Sequence, residues 1–166
     1  MNEKTLIYIS LGSNIDPIKN TEKAIDTLKR ALTDYTVSTV YRSPAVGMQG
    51  DDFYNAVVGG YTCKSVDQVL QWLRDIEGRH GRVRTDNKFV DRPLDLDLLL
   101  YAAEVSHNLP HPDIEQQAYV LQPLAEVAGT LVHPVINRSI VAMNNALKFC
   151  CPEKYNVLTP LVVPSD

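Results

Sequence analysis

Leu94-Asp95-Leu96-Asp97-Leu98 alternates apolar and acidic residues with a strict period of two. A helix would scatter that pattern around its circumference, whereas a strand sends the three leucines to one face and both aspartates to the other. The pattern predicts a strand over residues 94–101, and its buried apolar face demands a sheet packed against other elements. On that strand the two carboxylates project together, about 7 Å apart at the backbone. Such like charges are tolerated when solvated or when a hard cation lies between them. Magnesium suits, because it takes carboxylate oxygens and fills its shell with water and phosphate. For the pair taken alone, a solvated strand face is the simpler reading.

The other elements build a layered domain around this strand. Residues 6–11 form a short apolar run that ends at Gly12-Ser13-Asn14, a buried strand leaving into a turn. Asp16 is placed to cap a helix with Pro17 at its first position, and Ala24, Ile25, Leu28, Ala31 and Leu32 recur along one face. Strands are expected over 36–42 and 53–63, joined by a loop with Pro44, Gly47 and Gly50, and Gly59-Gly60 is a candidate bulge. Ser65 and Gln68 have capping-box spacing for a second helix. Val66, Val69, Leu70, Leu73 and Ile76 form its apolar stripe, and Gly78 is expected to end it.

The resulting order of strand, helix, strand, strand, helix, strand is that of a ferredoxin-like split unit. The expected class is therefore α+β, a ferredoxin-like βαββαβ core with additional C-terminal helices. Those helices are expected near 115–121 and 139–149, after a loop around Pro110 and Pro112 and before a tail broken by Pro152, Pro160 and Pro164. No internal repeat or linker divides the chain, so residues 1–166 read as a single domain.

Composition narrows the function classes. With 45% hydrophobic and 22% charged residues the chain has enough apolar material for a core without staples. The longest unbroken apolar run, 98–103, is far short of the roughly 20 residues of a membrane span. A cytoplasmic protein is expected. Cys63, Cys150 and Cys151 are an odd count with an adjacent pair, which reads as thiols rather than a disulfide framework or a zinc site. The net charge of −4 argues against a nucleic-acid partner. Yet Arg79, Arg82, Arg84, Lys88 and Arg92 crowd into one segment, opposed only by Asp86 and Asp91.

That basic segment directly precedes the paired aspartates, and the juxtaposition changes the reading of both. Arginine grips phosphate in bidentate fashion while magnesium neutralises the same oligophosphate from the other side. Arg82, Arg84 and Arg92 are read as phosphate contacts, and Arg79 and Lys88 as solvated. The chain has no G-x-x-x-x-G-K-[ST] motif, so a nucleotide would be held by side chains and metal rather than by a P-loop. Asn55 lies within the apolar stretch Phe53-Tyr54-Asn55-Ala56-Val57-Val58 and must find partners there. It either bonds a neighbouring loop or reads the edge of a heterocycle while an aromatic such as Phe53 stacks on the ring. His111-Pro112-Asp113 is a turn by default. His80, His107 and His133 read as structural.

Taken together, Gly12-Ser13-Asn14, Tyr41-Arg42-Ser43-Pro44, Phe53-Tyr54-Asn55-Ala56, Gly81-Arg82-Val83-Arg84 and Arg92-Pro93-Leu94-Asp95-Leu96-Asp97 resemble the 6-hydroxymethyl-7,8-dihydropterin pyrophosphokinase family over nearly the whole chain to about residue 135. The resemblance implies transfer of pyrophosphate from ATP to the pterin hydroxymethyl oxygen, with release of AMP, in folate biosynthesis. It implies two magnesium ions on Asp95 and Asp97, with Arg82, Arg92 and Asp97 catalytic. Glu77, Arg84, Arg92 and His111 would line the ATP site. Asn55 would read the pterin edge between the rings of Phe53 and Tyr119, with Ser43, Pro44 and Val46 completing that pocket. A monomer or weak dimer is expected, with these small molecules as partners and neither nucleic acid nor membrane.

The chain departs from the family in places. Phe89-Val90-Asp91 stands where relatives usually have tryptophan, glycine and proline, and Pro112 and Gln117 stand where they often have tyrosine and arginine. These changes point to a weaker grip on ATP. The competing class is a pterin- or nucleotide-binding paralogue on the same fold with weak or no turnover.

Overall fold

Strand β1 (Thr5–Ser13) runs through the middle of the molecule, with β4 (Phe53–Thr62) on one side and β5 (Asp95–Tyr101) on the other, both antiparallel to it. The computed structural model describes residues 3–44, 52–81, 93–106 and 108–161. Within them follow α1 (Pro17–Ala31), β2 (Thr33–Val37), β3 (Val40–Ser43), α2 (Val66–Arg79), α3 (Asp113–Gln116), α4 (Ala118–Ala128), α5 (Ile140–Cys150), α6 (Glu153–Asn156) and β6 (Thr159–Leu161). The sheet has the order β5-β1-β4-β3-β6, with β2 also pairing β4, and every pairing is antiparallel. This is a mixed fold of helices on an antiparallel sheet.

Alternation along the central strands gives the sheet two apolar faces. Ile7, Ile9 and Leu11 of β1 turn to one face with Ala56, Val58, Leu94, Leu96 and Leu98, where α1 supplies Ala24 and Leu28 and α2 supplies Val69, Leu73 and Ile76. Tyr8, Val57, Leu99 and Leu100 turn to the other and meet Ile114, Val120, Leu121, Leu124, Ile140 and Met143 from the C-terminal helices. Each fully buried aliphatic side chain contributes about 1.5–3 kcal/mol. The register shifts on β5 where Leu98 pairs Ile9 but Leu100 pairs Tyr8, which turns both Leu99 and Leu100 toward the second face.

Several expectations are met residue by residue. Ser65 caps α2, accepting from Gln68 N at 3.2 Å while Gln68 Oε1 accepts from Ser65 N at 2.8 Å, a complete capping box. Leu94, Leu96 and Leu98 are buried, as the period-two pattern requires. Ser139 caps α5 through Ala142 N. Among the described residues Cys63, Cys150 and Cys151 form no disulfide. No helix of the described residues is long and apolar enough to cross a membrane.

Other expectations are corrected. The strand expected over 36–42 is two strands, because Val37 pairs Val58 and Tyr41 pairs Asn55, four residues of one strand against three of the other. Ser38 occupies the irregularity and holds it: its amide donates to Val57 O and its hydroxyl accepts from Val57 N, both at 2.9 Å. The candidate bulge Gly59-Gly60 keeps a regular register with β1, and the irregularity there lies on the other side of β4, where Thr33 pairs Tyr61 and Thr36 pairs Gly59, so the extra residue belongs to β2. Gly59 is glycine because a Cβ there would run into the Tyr8 ring. Asp16 sits at the start of α1 with φ of 41° but makes no side-chain cap bond. Asn20 closes that turn instead, its amide donating to Ile15 O at 2.7 Å. Helix α2 runs past Gly78 to Arg79, and Gly81 carries the positive φ beyond it. Leu70 is exposed rather than core. The helix expected over 115–121 is broken at Gln117, which is extended between α3 and α4. The tail contains α6 and β6, and β6 adds a strand to β3.

Candidate active site

The register around Gly12 brings the sequence-predicted residues together. Gly12 lies opposite Asn55 on β4 and opposite Asp95 on β5, and Tyr41 lies opposite Asn55 in turn. Residues in direct register share a face, so Asn55 and Asp95 flank Gly12 in one row on the face of the sheet opposite α1 and α2. Gly12 keeps the space between them open: a Cβ there would stand 3.1 Å from Asn55 Oδ1 and 3.7 Å from the Phe53 ring. Asp97 pairs with Ser10 on the same face, one row away.

Asn55 is 6% exposed and donates from Nδ2 to Ser43 Oγ at 2.8 Å. Its partner is thus a side chain at the end of β3, and this bond aims Oδ1 at the gap beside Gly12. An amide held this way presents an acceptor and a second N–H to anything that enters the gap. Phe53 precedes it by two residues on the same strand face. Ser13, 0% exposed, donates its single hydroxyl hydrogen to Pro93 O at 2.6 Å, with Ile15 O at 3.1 Å as the alternative acceptor, tying the turn after β1 to the segment that leads into β5.

The acidic side of the site is braced from beneath. Glu77 on α2 is 2% exposed, and its Oε2 accepts from Leu96 N at 2.9 Å, between the two aspartates. Glu77, expected at the ATP site, therefore touches the strand that carries the carboxylates. On the other side His111 N donates to Leu99 O at 2.9 Å, which brings the imidazole beside β5. Its Nε2 lies 3.8 Å from Asp97 Oδ1, and Nδ1 accepts from Asp113 N at 3.1 Å. With Nδ1 accepting, the ring hydrogen of the neutral form resides on Nε2, toward Asp97. Ligand atoms of Asp97, His111 and Asp113 lie within 4.8 Å of one another. A carboxylate pair on one face, half open to solvent and with the Asp113 carboxylate near Asp97, fits a hard divalent cation.

Ser43, Pro44 and Tyr119 line a cavity of about 320 Å³ together with Gln117, Ala118, Lys154, Val157 and Leu158. Tyr119 lies in the first turn of α4 and packs against the second apolar cluster. Gln117, one of the departures noted from the sequence, lines this cavity. Val46 and the three arginines Arg82, Arg84 and Arg92 lie outside the described residues, as do residues 89–91. Sequence reasoning missed Asp113, Ser13 and the C-terminal contributions to the cavity. The motif Gly12-Ser13-Asn14 was the signal for Ser13; the tail carried none.

These features define an α+β protein with an antiparallel sheet, whose site sets paired carboxylates beside a buried, aimed amide. The chain belongs to the 7,8-dihydro-6-hydroxymethylpterin-pyrophosphokinase (HPPK) family, whose model matches residues 8–129. It is 33% identical over 154 residues to the 2-amino-4-hydroxy-6-hydroxymethyldihydropteridine pyrophosphokinase of Aquifex aeolicus, covering 87% of this chain and 96% of that one. It is 36% identical over 135 residues to the protein of the same name from Haemophilus influenzae, covering 76% of this chain and 84% of that one. Among solved structures it resembles wild-type Plasmodium falciparum HPPK-DHPS with a TM-score of 0.76 at 13% identity, covering 100% of this chain. The chain spans 50% of the length of that protein, and the likeness bears on fold alone.

Proposed function

We propose that this chain transfers the pyrophosphoryl group of ATP to the hydroxymethyl oxygen of 6-hydroxymethyl-7,8-dihydropterin and releases AMP, a step in folate biosynthesis. The observation that carries the reading is the Asn55–Gly12–Asp95 row within a chain of the HPPK family. It sets a group able to read a heterocycle edge across one intervening strand from a group able to hold a cation. The relatives named as pyrophosphokinases favour turnover over a binding-only role. The core is read as ferredoxin-like: β1 and β4 lie side by side, and β5, reached through α2, returns to the far side of β1, as in a split βαβ unit. The reading treats residues 1–166 as one domain.

In this reading Asn55 bonds the pterin edge, Phe53 and Tyr119 cover its faces, and Ser43, Pro44 and Val46 close the pocket. Asp95 and Asp97 would hold two magnesium ions, which neutralise phosphate charge when bound. Arg82, Arg84, Arg92 and His111 grip the phosphates, with Arg82 and Arg92 on the transferring group. Glu77 keeps the strand between the aspartates in place. The hydroxymethyl oxygen attacks the β-phosphorus and gives up its proton to solvent, while the bond from that phosphorus to the bridging α-phosphate oxygen breaks and its electron pair stays on the departing AMP. In-line transfer of this kind depends on positioning and charge neutralisation. The test is AMP formation from ATP and magnesium with and without hydroxymethyldihydropterin. Pterin-dependent AMP is expected, and its absence overturns the reading.

A further inference from the structure

The cavity onto which Ser43, Pro44 and Tyr119 open is also lined by residues far along the chain, Lys154, Val157 and Leu158. These lie beyond the stretch that the family's model matches. Three attachments hold them there. First, β6 pairs β3, with Leu161 opposite Val40 and Thr159 opposite Arg42, so the tail runs alongside the strand that ends at Ser43. Second, the Lys154 ammonium donates to Gln116 O at 2.9 Å, pinning α6 to the turn that precedes Tyr119.

The third attachment is a relay of buried and half-buried polar side chains. The Tyr155 hydroxyl donates to Asn144 Oδ1 at 2.6 Å, Asn144 Nδ2 donates to Gln122 Oε1 at 3.1 Å, and Gln122 Nε2 donates to the Tyr41 hydroxyl at 3.3 Å. Tyr41 in turn donates to Glu126, whose other oxygen accepts from Thr39 N at 3.1 Å. The relay therefore links α6 to β3 by way of α5 and α4. A satisfied polar chain of this kind sets geometry more sharply than apolar packing alone.

Resting on the pyrophosphokinase reading above, we propose that this C-terminal segment is part of the pterin pocket, with Val157 and Leu158 completing the apolar wall begun by Pro44 and Tyr119 and so positioning the substrate ring. A flat heterocycle held only by edge bonds would leave part of its surface wet. An apolar wall excludes that water and limits the ring to one pose. Lys154 and Tyr155 act as positioning residues for this wall.

Steady-state kinetics of Leu158→Ala and Leu158→Met, with melting temperatures, test the wall. Leu158→Ala should raise the pterin KM about five- to tenfold with the ATP KM within about twofold of wild type, and Leu158→Met should restore it. A pterin KM unchanged in folded Leu158→Ala overturns the proposal. Should the variants not fold, amide hydrogen exchange of the wild-type chain decides: pterin added to magnesium and a non-hydrolysable ATP analogue should slow exchange over 153–161 relative to the analogue alone. Unchanged exchange there, with protection at Asn55, overturns the wall. A wild-type chain without pterin-dependent AMP instead refutes the activity, and the exchange comparison still decides the wall.

Discussion

The carboxylate of Glu77 accepts the amide of Leu96 at 2.9 Å, beneath the strand and between Asp95 and Asp97. Helix α2 thus fixes the position of the acidic pair through one buried side chain. Glu77→Leu leaves the Leu96 N–H without this acceptor and should destabilise the fold by about 1–3 kcal/mol in urea unfolding. Glu77→Gln keeps an acceptor oxygen and should recover most of that loss. The ATP KM of Glu77→Leu should rise more than the pterin KM, because the strand it frees is the one that carries the aspartates.

Asp95→Asn and Asp97→Asn should each lower turnover by roughly two or more orders of magnitude, since either removes a charge from the proposed cation site. Both side chains are half-buried at the sheet face, and their alternating leucine neighbours are untouched, so circular dichroism and the melting temperature should stay near wild type. Full activity in either purified variant would sink the assignment.

Gly12→Ala should weaken the pterin rather than the fold. The added methyl meets Asn55 Oδ1 at 3.1 Å, and the amide has little freedom to retreat because Ser43 holds its nitrogen at 2.8 Å. Calorimetry with pterin and a non-hydrolysable ATP analogue should show affinity lower by about tenfold, the loss of roughly one good hydrogen bond. Unchanged affinity would place the pterin edge elsewhere.

Burial pushes the Tyr155 hydroxyl up to about 12. In the unfolded chain this group ionises near its ordinary value of about 10, so between the two values the folded state holds the proton and the unfolded state does not. Stability from this group is therefore full below about pH 10 and declines as pH rises from there toward 12. Melting curves from pH 9 to 12 should fall more steeply for wild type than for Tyr155→Phe. Equal slopes would show that burial does not hold the Tyr155 proton.

What the sequence determined by itself was everything set by local periodicity and short-range chemistry. The alternation at Leu94-Asp95-Leu96-Asp97-Leu98 dictates which side chains face the core. The Ser65 and Gln68 pair starts α2 because both capping bonds close within four residues. The types of most elements, and the residue types a phosphate and a cation require, were legible for the same reason. The break at Ser38 was not, because its two bonds reach Val57 on another strand. Nor was the strand at Thr159–Leu161, which carries a proline opposite Tyr41 and exists only because β3 offers an open edge. Above all, that Asn55 and Asp95 meet across Gly12 is a matter of register between three strands. Register is chosen by how two apolar faces fill against their helices, which is a property of the packed molecule and not of any segment read alone.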